Sequence, residues 1–214
     1  MVLKIYGTKT STCTQRVLAV LHEKKARFEF VEIDWLKGEH KSASHLKLHP
    51  FGKVPVLEDD GFVLFESRAI ANYIARKFAG QGTSLLPADD DLKARALFDR
   101  AASLEAFYYD PAVSTLVTEI VFKKAYGFGE ADEDLVAKHA AGLDTTLAVY
   151  EQILSTQKYI AGDKLTVADL YHVSYGALAR QAGYLETFEK YPHVEKWFAG
   201  LLALESWQKA STGA

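Results

Sequence analysis

The chain has 214 residues, with 25 Lys and Arg against 28 Asp and Glu, for a formal charge of -3. With 49% hydrophobic and 25% charged residues it reads as a globular protein of one or two domains, not as a disordered, collagen-like or coiled-coil chain. The near-neutral charge argues against a nucleic-acid partner, which needs a basic excess.

Cys13 is the single cysteine, so an intramolecular disulfide is excluded and a reducing compartment is expected. The opening Met1-Val2-Leu3-Lys4 carries no basic segment followed by an apolar one, so no secretory signal is expected. No run of about 18 apolar residues occurs, so no membrane span is expected, and a cytoplasmic location follows.

In chain order, Val2–Tyr6 is a β-prone run. Thr14–Lys25 puts Val17, Leu18 and Leu21 on one helical face. Phe28–Ile33 alternates as a strand, and residues 42–48 can form a short helix. Val54–Leu57 and Phe62–Phe65 flank Asp59-Asp60-Gly61, a hairpin signal because glycine accepts positive φ at the turn. Ser67–Phe78 reads as a helix with Ile70, Tyr73, Ile74 and Phe78 as its buried stripe. The order is β-α-β-α-β-β-α.

Residues 80–90, with Gly80, Gly82 and Pro87, look like a linker between a first half, 1–79, and a helical second half, 91–214. Helical periodicity covers 92–109, 134–154, 168–181 and 192–209. Pro111 is expected to mark a kink or boundary, since it lacks an N–H. Thr166-Val167-Ala168-Asp169 resembles a capping box. Charge divides in the same way. Residues 1–80 hold 13 basic and 9 acidic side chains, and residues 81–214 hold 12 and 19.

Four segments stand out in this frame: Ser11-Thr12-Cys13-Thr14-Gln15-Arg16-Val17, Gly38-Glu39-His40-Lys41, Pro50-Phe51-Gly52-Lys53-Val54-Pro55 and Phe65-Glu66-Ser67-Arg68-Ala69-Ile70. With the all-helical second half, they resemble the cytosolic glutathione transferases, and the phi class in particular. The resemblance covers nearly the whole chain. It implies a thioredoxin-like α/β domain that binds glutathione, followed by an all-α domain with a pocket for an electrophile. It also implies a homodimer and reduced glutathione as co-substrate, without a metal or other cofactor.

Ser11 lies between the first strand and the first helix. Its hydroxyl can cap that helix, or it can join the positive helix end in holding a thiol as thiolate. The resemblance assigns it the catalytic role. Cys13, two residues further on, reads as a small packing residue or as an oxidisable thiol near a helix start. For glutathione the resemblance implies Thr10 and Ser11, the Val54 backbone before a cis Pro55, and Glu66 with Ser67 at the γ-glutamyl end. It places His40 and Lys41 at the glycyl carboxylate, and Lys53 adds positive charge there. Ser67 also looks like an N-cap, and Arg68 either aids the anion pocket or forms an ion pair.

His45 and His49 have metal-ligand spacing but no third ligand, so solvated or capping histidines are expected. Asp89-Asp90-Asp91 lacks calcium-loop spacing, and Gly127-x-Gly129 does not extend to a dinucleotide motif. Among the second-half aromatics, Tyr108 and Phe122 are the candidates for the electrophile pocket. Two other functions remain open: glutathione-dependent reduction of organic hydroperoxides, or a non-catalytic ligand-binding or scaffold protein of the same fold.

Overall fold

The structure, a computed structural model, describes residues 2–213. It divides into two compact units, Met1–Leu86 with Ala203–Ala214, and Pro87–Leu202. The pattern alone assigned residues 203–214 to the helical half. They fold with the first unit instead.

The first unit carries β1 (Leu3–Gly7), α1 (Thr12–Glu23), β2 (Phe28–Glu32), α2 (Ala43–Leu48), β3 (Val56–Asp59), β4 (Phe62–Phe65) and α3 (Ser67–Lys77). This is the expected order. The sheet runs β2-β1-β3-β4, with β1 parallel to β2 and antiparallel to β3. β3 begins two residues later than the apolar run, because Val54 and the cis Pro55 lie outside the ladder. The β3–β4 hairpin turns on Asp60 and Gly61, both at positive φ, as a tight two-residue turn requires. Val17, Leu18 and Leu21 of α1 and Ile70 and Ile74 of α3 are buried, and the two helices pack together. Tyr73 and Phe78 depart from the expected stripe: both are half-buried, the Tyr73 hydroxyl donates to Asp59, and Phe78 is the C-cap of α3.

The second unit opens with one long helical run. α4 (Leu92–Leu104), α5 (Asp110–Val117) and α6 (Lys123–Tyr126) are joined by π-helical turns at Glu105–Tyr109 and Thr118–Phe122. Pro111 therefore does not end the helix. It sits in the first turn of α5, just after the wider π turn, where its missing N–H is tolerated. Then come α7 (Glu133–Leu154), α8 (Val167–Ala179), α9 (Leu185–Glu189) and α10 (Pro192–Leu202). α8 is buried along nearly its whole length, packed by α4, α5 and α10. A Cβ on its Gly176 would collide with the side chains of Tyr109 and Phe198, so glycine is needed for that approach.

The capping box at Thr166 and Asp169 forms as expected. Asp169 is fully buried and accepts from Thr166 N (2.8 Å), Thr166 Oγ1 (2.9 Å), Ile160 N (3.0 Å) and Trp197 Nε1 (3.0 Å).

The single helix expected over 192–209 is two. α10 ends at Leu202, and α11 (Glu205–Thr212) belongs to the first unit, where it packs along α1. No Gly or Pro lies between Leu202 and Glu205, and Gly200 falls inside α10. Among the described residues, no helix is long and apolar enough to cross a membrane.

Candidate functional site at one end of the sheet

Strand register gathers the candidate residues of the first unit. Tyr6 at the end of β1 pairs with Val56 at the start of β3, and Val56 pairs with Phe65 at the end of β4. Gly7 lies opposite Glu32, the last residue of β2. The segments that carry Ser11, residues 34–41, Val54-Pro55 and Glu66-Ser67 therefore all leave the same end of the sheet.

Ser11 is the N-cap of α1, in extended backbone, and its Oγ accepts from Thr14 N at 3.3 Å. Capping uses the oxygen's lone pair and leaves the hydroxyl proton uncommitted. The two roles read for Ser11 are thus compatible. Thr10 is an exposed turn residue just before it. Cys13 is half-buried, 3.9 Å from Arg16 Nη1.

His40 is buried and stacks on Trp35, with ring centroids 3.7 Å apart and planes 8° from parallel. Burial holds its pKa below the usual value, with Lys41, His45 and Lys53 adding to the effect. Lys41 Nζ donates to the Phe51 carbonyl at 3.0 Å, which leaves it further N–H groups to donate. Lys53 is exposed, and its carbonyl lies 2.7 Å from His45 Nε2. Gly52, at φ 58, sits under this loop, where a Cβ would strike the His40 carbonyl and the Lys41 side chain.

His45 and His49 are buried and not solvated, and His49 takes the C-cap position of α2, as the capping reading allowed. His49 stacks on Phe65 at 4.6 Å, and so joins the segment before β3 to the last residue of β4, next to Glu66. The Nδ1 atoms of His40, His45 and His49 are all buried without a hydrogen-bond partner. No metal-binding group of three or more His, Cys, Asp or Glu exists among the described residues.

Burial lowers the pKa of His49; Glu66 opposes this, while His45, Lys41 and Lys53 reinforce it. A histidine held neutral in the fold gains its proton on unfolding. Stability is then full above the unfolded value of about 6.5 and falls as the pH drops through it. His49→Phe keeps a stacked ring and removes the titration. We expect urea melts between pH about 7 and about 5 to lose less stability in this variant than in the wild type. An unchanged acid limb would remove His49 from that role.

Glu66 is exposed, at φ 73 and ψ 109, a backbone region that non-glycine residues occupy at a cost. It takes the N-cap position of α3 without a side-chain cap bond. Ser67 is therefore the first helical residue and not the cap. Its buried hydroxyl accepts from Arg16 Nη1 at 2.8 Å. The motif readings missed this role of Arg16. The signal was its place four residues before Val20, on the apolar side of α1.

Tyr108 and Phe122 lie in the second unit, each on one of the π turns. Tyr108 is exposed. Phe122 meets the rings of Tyr126 (6.0 Å) and Tyr175 (6.5 Å).

A βαβ unit and a ββα unit in one sheet, with a cis proline just before β3 and a serine at each of two helix starts, define a thioredoxin-like unit. Here it is followed along the chain by a helical unit. The model of the glutathione S-transferase N-terminal domain matches residues 1–76, and that of the C-terminal domain matches residues 106–205. The chain belongs to the glutathione S-transferase family. It is 45% identical to glutathione S-transferase hmp2 of Hypomyces subiculosus over 214 residues, 100% of both chains. Among solved structures, glutathione transferase F7 from Populus trichocarpa superposes with a TM-score of 0.94 at 37% identity, over 99% of each chain. Glutathione S-transferase I from maize, in complex with an atrazine–glutathione conjugate, gives a TM-score of 0.90 at 36% identity, over 99% of this chain and 97% of that one. The relatives include phi-class enzymes.

Proposed function

We propose that the end of the sheet where Ser11, His40, Val54 and Glu66-Ser67 emerge binds reduced glutathione, and that the chain adds its thiolate to apolar electrophiles. One observation carries the reading. The Ser11 hydroxyl, at the start of the 12-residue helix α1, has its oxygen engaged by Thr14 N and donates to no partner among the described residues. It is left to donate to a sulfur. A donor and a helix N-terminus both favour the charged form of a bound thiol. The thiol proton passes to water. The thiolate forms a bond to the electrophilic carbon, and the leaving group departs with its electron pair.

The Val54 backbone makes no hydrogen bond among the described residues and is free to pair with the cysteinyl unit as an added strand would. Glu66 meets the γ-glutamyl ammonium, and Ser67 meets its carboxylate. His40, neutral at pH 7, serves the glycyl carboxylate as a hydrogen-bond donor, while Lys41 and Lys53 supply charge; Thr10 flanks the sulfur end. In this reading residues 1–79 hold glutathione, and the helices within 91–202 supply the electrophile's apolar contacts, with Tyr108 and Phe122 among them. The maize relative's aromatic conjugate supports this class of electrophile. A cytoplasmic homodimer is part of the same proposal.

Calorimetry with glutathione and turnover of an aryl halide test the reading together. Binding with turnover is expected, and a chain that binds no glutathione would sink it. His40→Ala is expected to raise KM for glutathione about 10-fold, as the loss of one hydrogen bond to a charged group does, with kcat nearly unchanged.

A further inference from the structure

We propose that Arg16 is a positioning residue for glutathione, whose buried guanidinium fixes the Ser67 hydroxyl as a donor to the γ-glutamyl carboxylate. This rests on the glutathione reading of Ser67. Arg16 is only 1% exposed, and a buried cation is costly unless its hydrogen-bonding groups are used. Its Nη1 lies 2.8 Å from Ser67 Oγ. A guanidinium only donates, so this bond takes a lone pair of Oγ, and the hydroxyl proton must point elsewhere. Ser67 is the first residue of α3, where backbone N–H groups are unpaired within the helix and an anion is favoured. A carboxylate placed there meets the Ser67 hydroxyl and the helix start, with a positive charge one atom behind the hydroxyl. Ser11 and Arg16 lie on the same helix, so α1 would set both the sulfur end and the γ-glutamyl end of the tripeptide.

The probes are glutathione and its analogue with the γ-glutamyl α-carboxylate replaced by hydrogen. The readout is the ratio of their kcat/KM values. We expect the wild type to prefer glutathione by about 50-fold, the range of a hydrogen bond to a charged group. Arg16→Met should narrow the preference to about 5-fold through KM, with kcat for glutathione within about two-fold, and Arg16→Lys should fall between, since an ammonium keeps the charge but not the fork. Ser67→Ala should narrow it too, and Arg16→Met in that background should add little, because the two side chains act as one unit. A merely structural role would lower kcat/KM for both thiols alike. If Ser67→Ala narrows the preference and a folded Arg16→Met retains it, Arg16 loses this role. If neither narrows it, the glutathione reading of Ser67 fails and takes the proposal with it. Should Arg16→Met not fold, Arg16→Lys decides: a narrowed preference supports the role, and a wild-type preference overturns it.

Discussion

Ser11→Ala is expected to turn over an aryl halide about 25-fold more slowly than the wild type at pH 7, with the gap nearly closing by about pH 9. The argument is electrostatic. A free thiol has a pKa of about 8.5, and a donated hydrogen bond together with the start of α1, worth ~2.7 kcal/mol, brings it to about 6.5. At neutral pH that separates a mostly ionised thiol from one that is about 3% ionised. The loss falls on turnover and not on glutathione binding, since the tripeptide's two ends are held elsewhere. Ser11 is also the cap of α1, so Ser11→Ala should cost about 1 kcal/mol of stability as well. Ser11→Asp separates the two effects. A carboxylate caps as well as a hydroxyl, but repels a thiolate, so stability should hold while turnover is lost. A pH profile of kcat/KM decides the matter. A Ser11→Ala profile that coincides with the wild type would take the sulfur away from Ser11.

Asp169→Ala is expected to destabilise the protein by about 4 kcal/mol, because buried donors left without an acceptor cost about 1–3 kcal/mol each and only part of that is relieved by rearrangement. Four donors converge on this carboxylate: two from Thr166 and one each from Ile160 and Trp197. Burial pushes its pKa above the ordinary value, and those hydrogen bonds hold it down. For a chain of this length the loss lowers the melting temperature by roughly 10 °C. Val167→Ala in the same turn is the comparison. It leaves a cavity but no orphaned donor, and it should cost less. An Asp169→Ala melt within about 1 kcal/mol of the wild type would mean that the donors find other acceptors.

The strand-and-helix order of the first unit was legible because its signals are local: alternation in β1 and β2, an Asp-Gly turn, and an apolar stripe on α1. The candidate site was legible as short motifs on the right elements. What was not legible depends on tertiary partners. Ser67 reads as a cap from its neighbours, but Glu66 takes the cap position and Arg16, 51 residues away, claims the hydroxyl. His49 reads as a solvated or capping histidine; it does cap α2, but the ring stacked on Phe65 is buried. Pro111 reads as a kink or boundary; it does fall in the first turn of α5, but the π turn that ends two residues earlier lets the helical run continue through it. The split between α10 and α11 has no Gly or Pro at the junction itself; α11 beyond it packs on α1 of the first unit.

That last helix has a consequence for how the chain is made. The first unit is interrupted: α1 lies near its beginning, and α11, which covers α1, comes only after the whole of Pro87–Leu202. On the ribosome the helical unit can therefore fold from a contiguous stretch while α1 still waits for its cover. A nascent chain stalled before residue 205 should bind chaperones through the exposed side of α1, and release of the last ten residues should end that exposure.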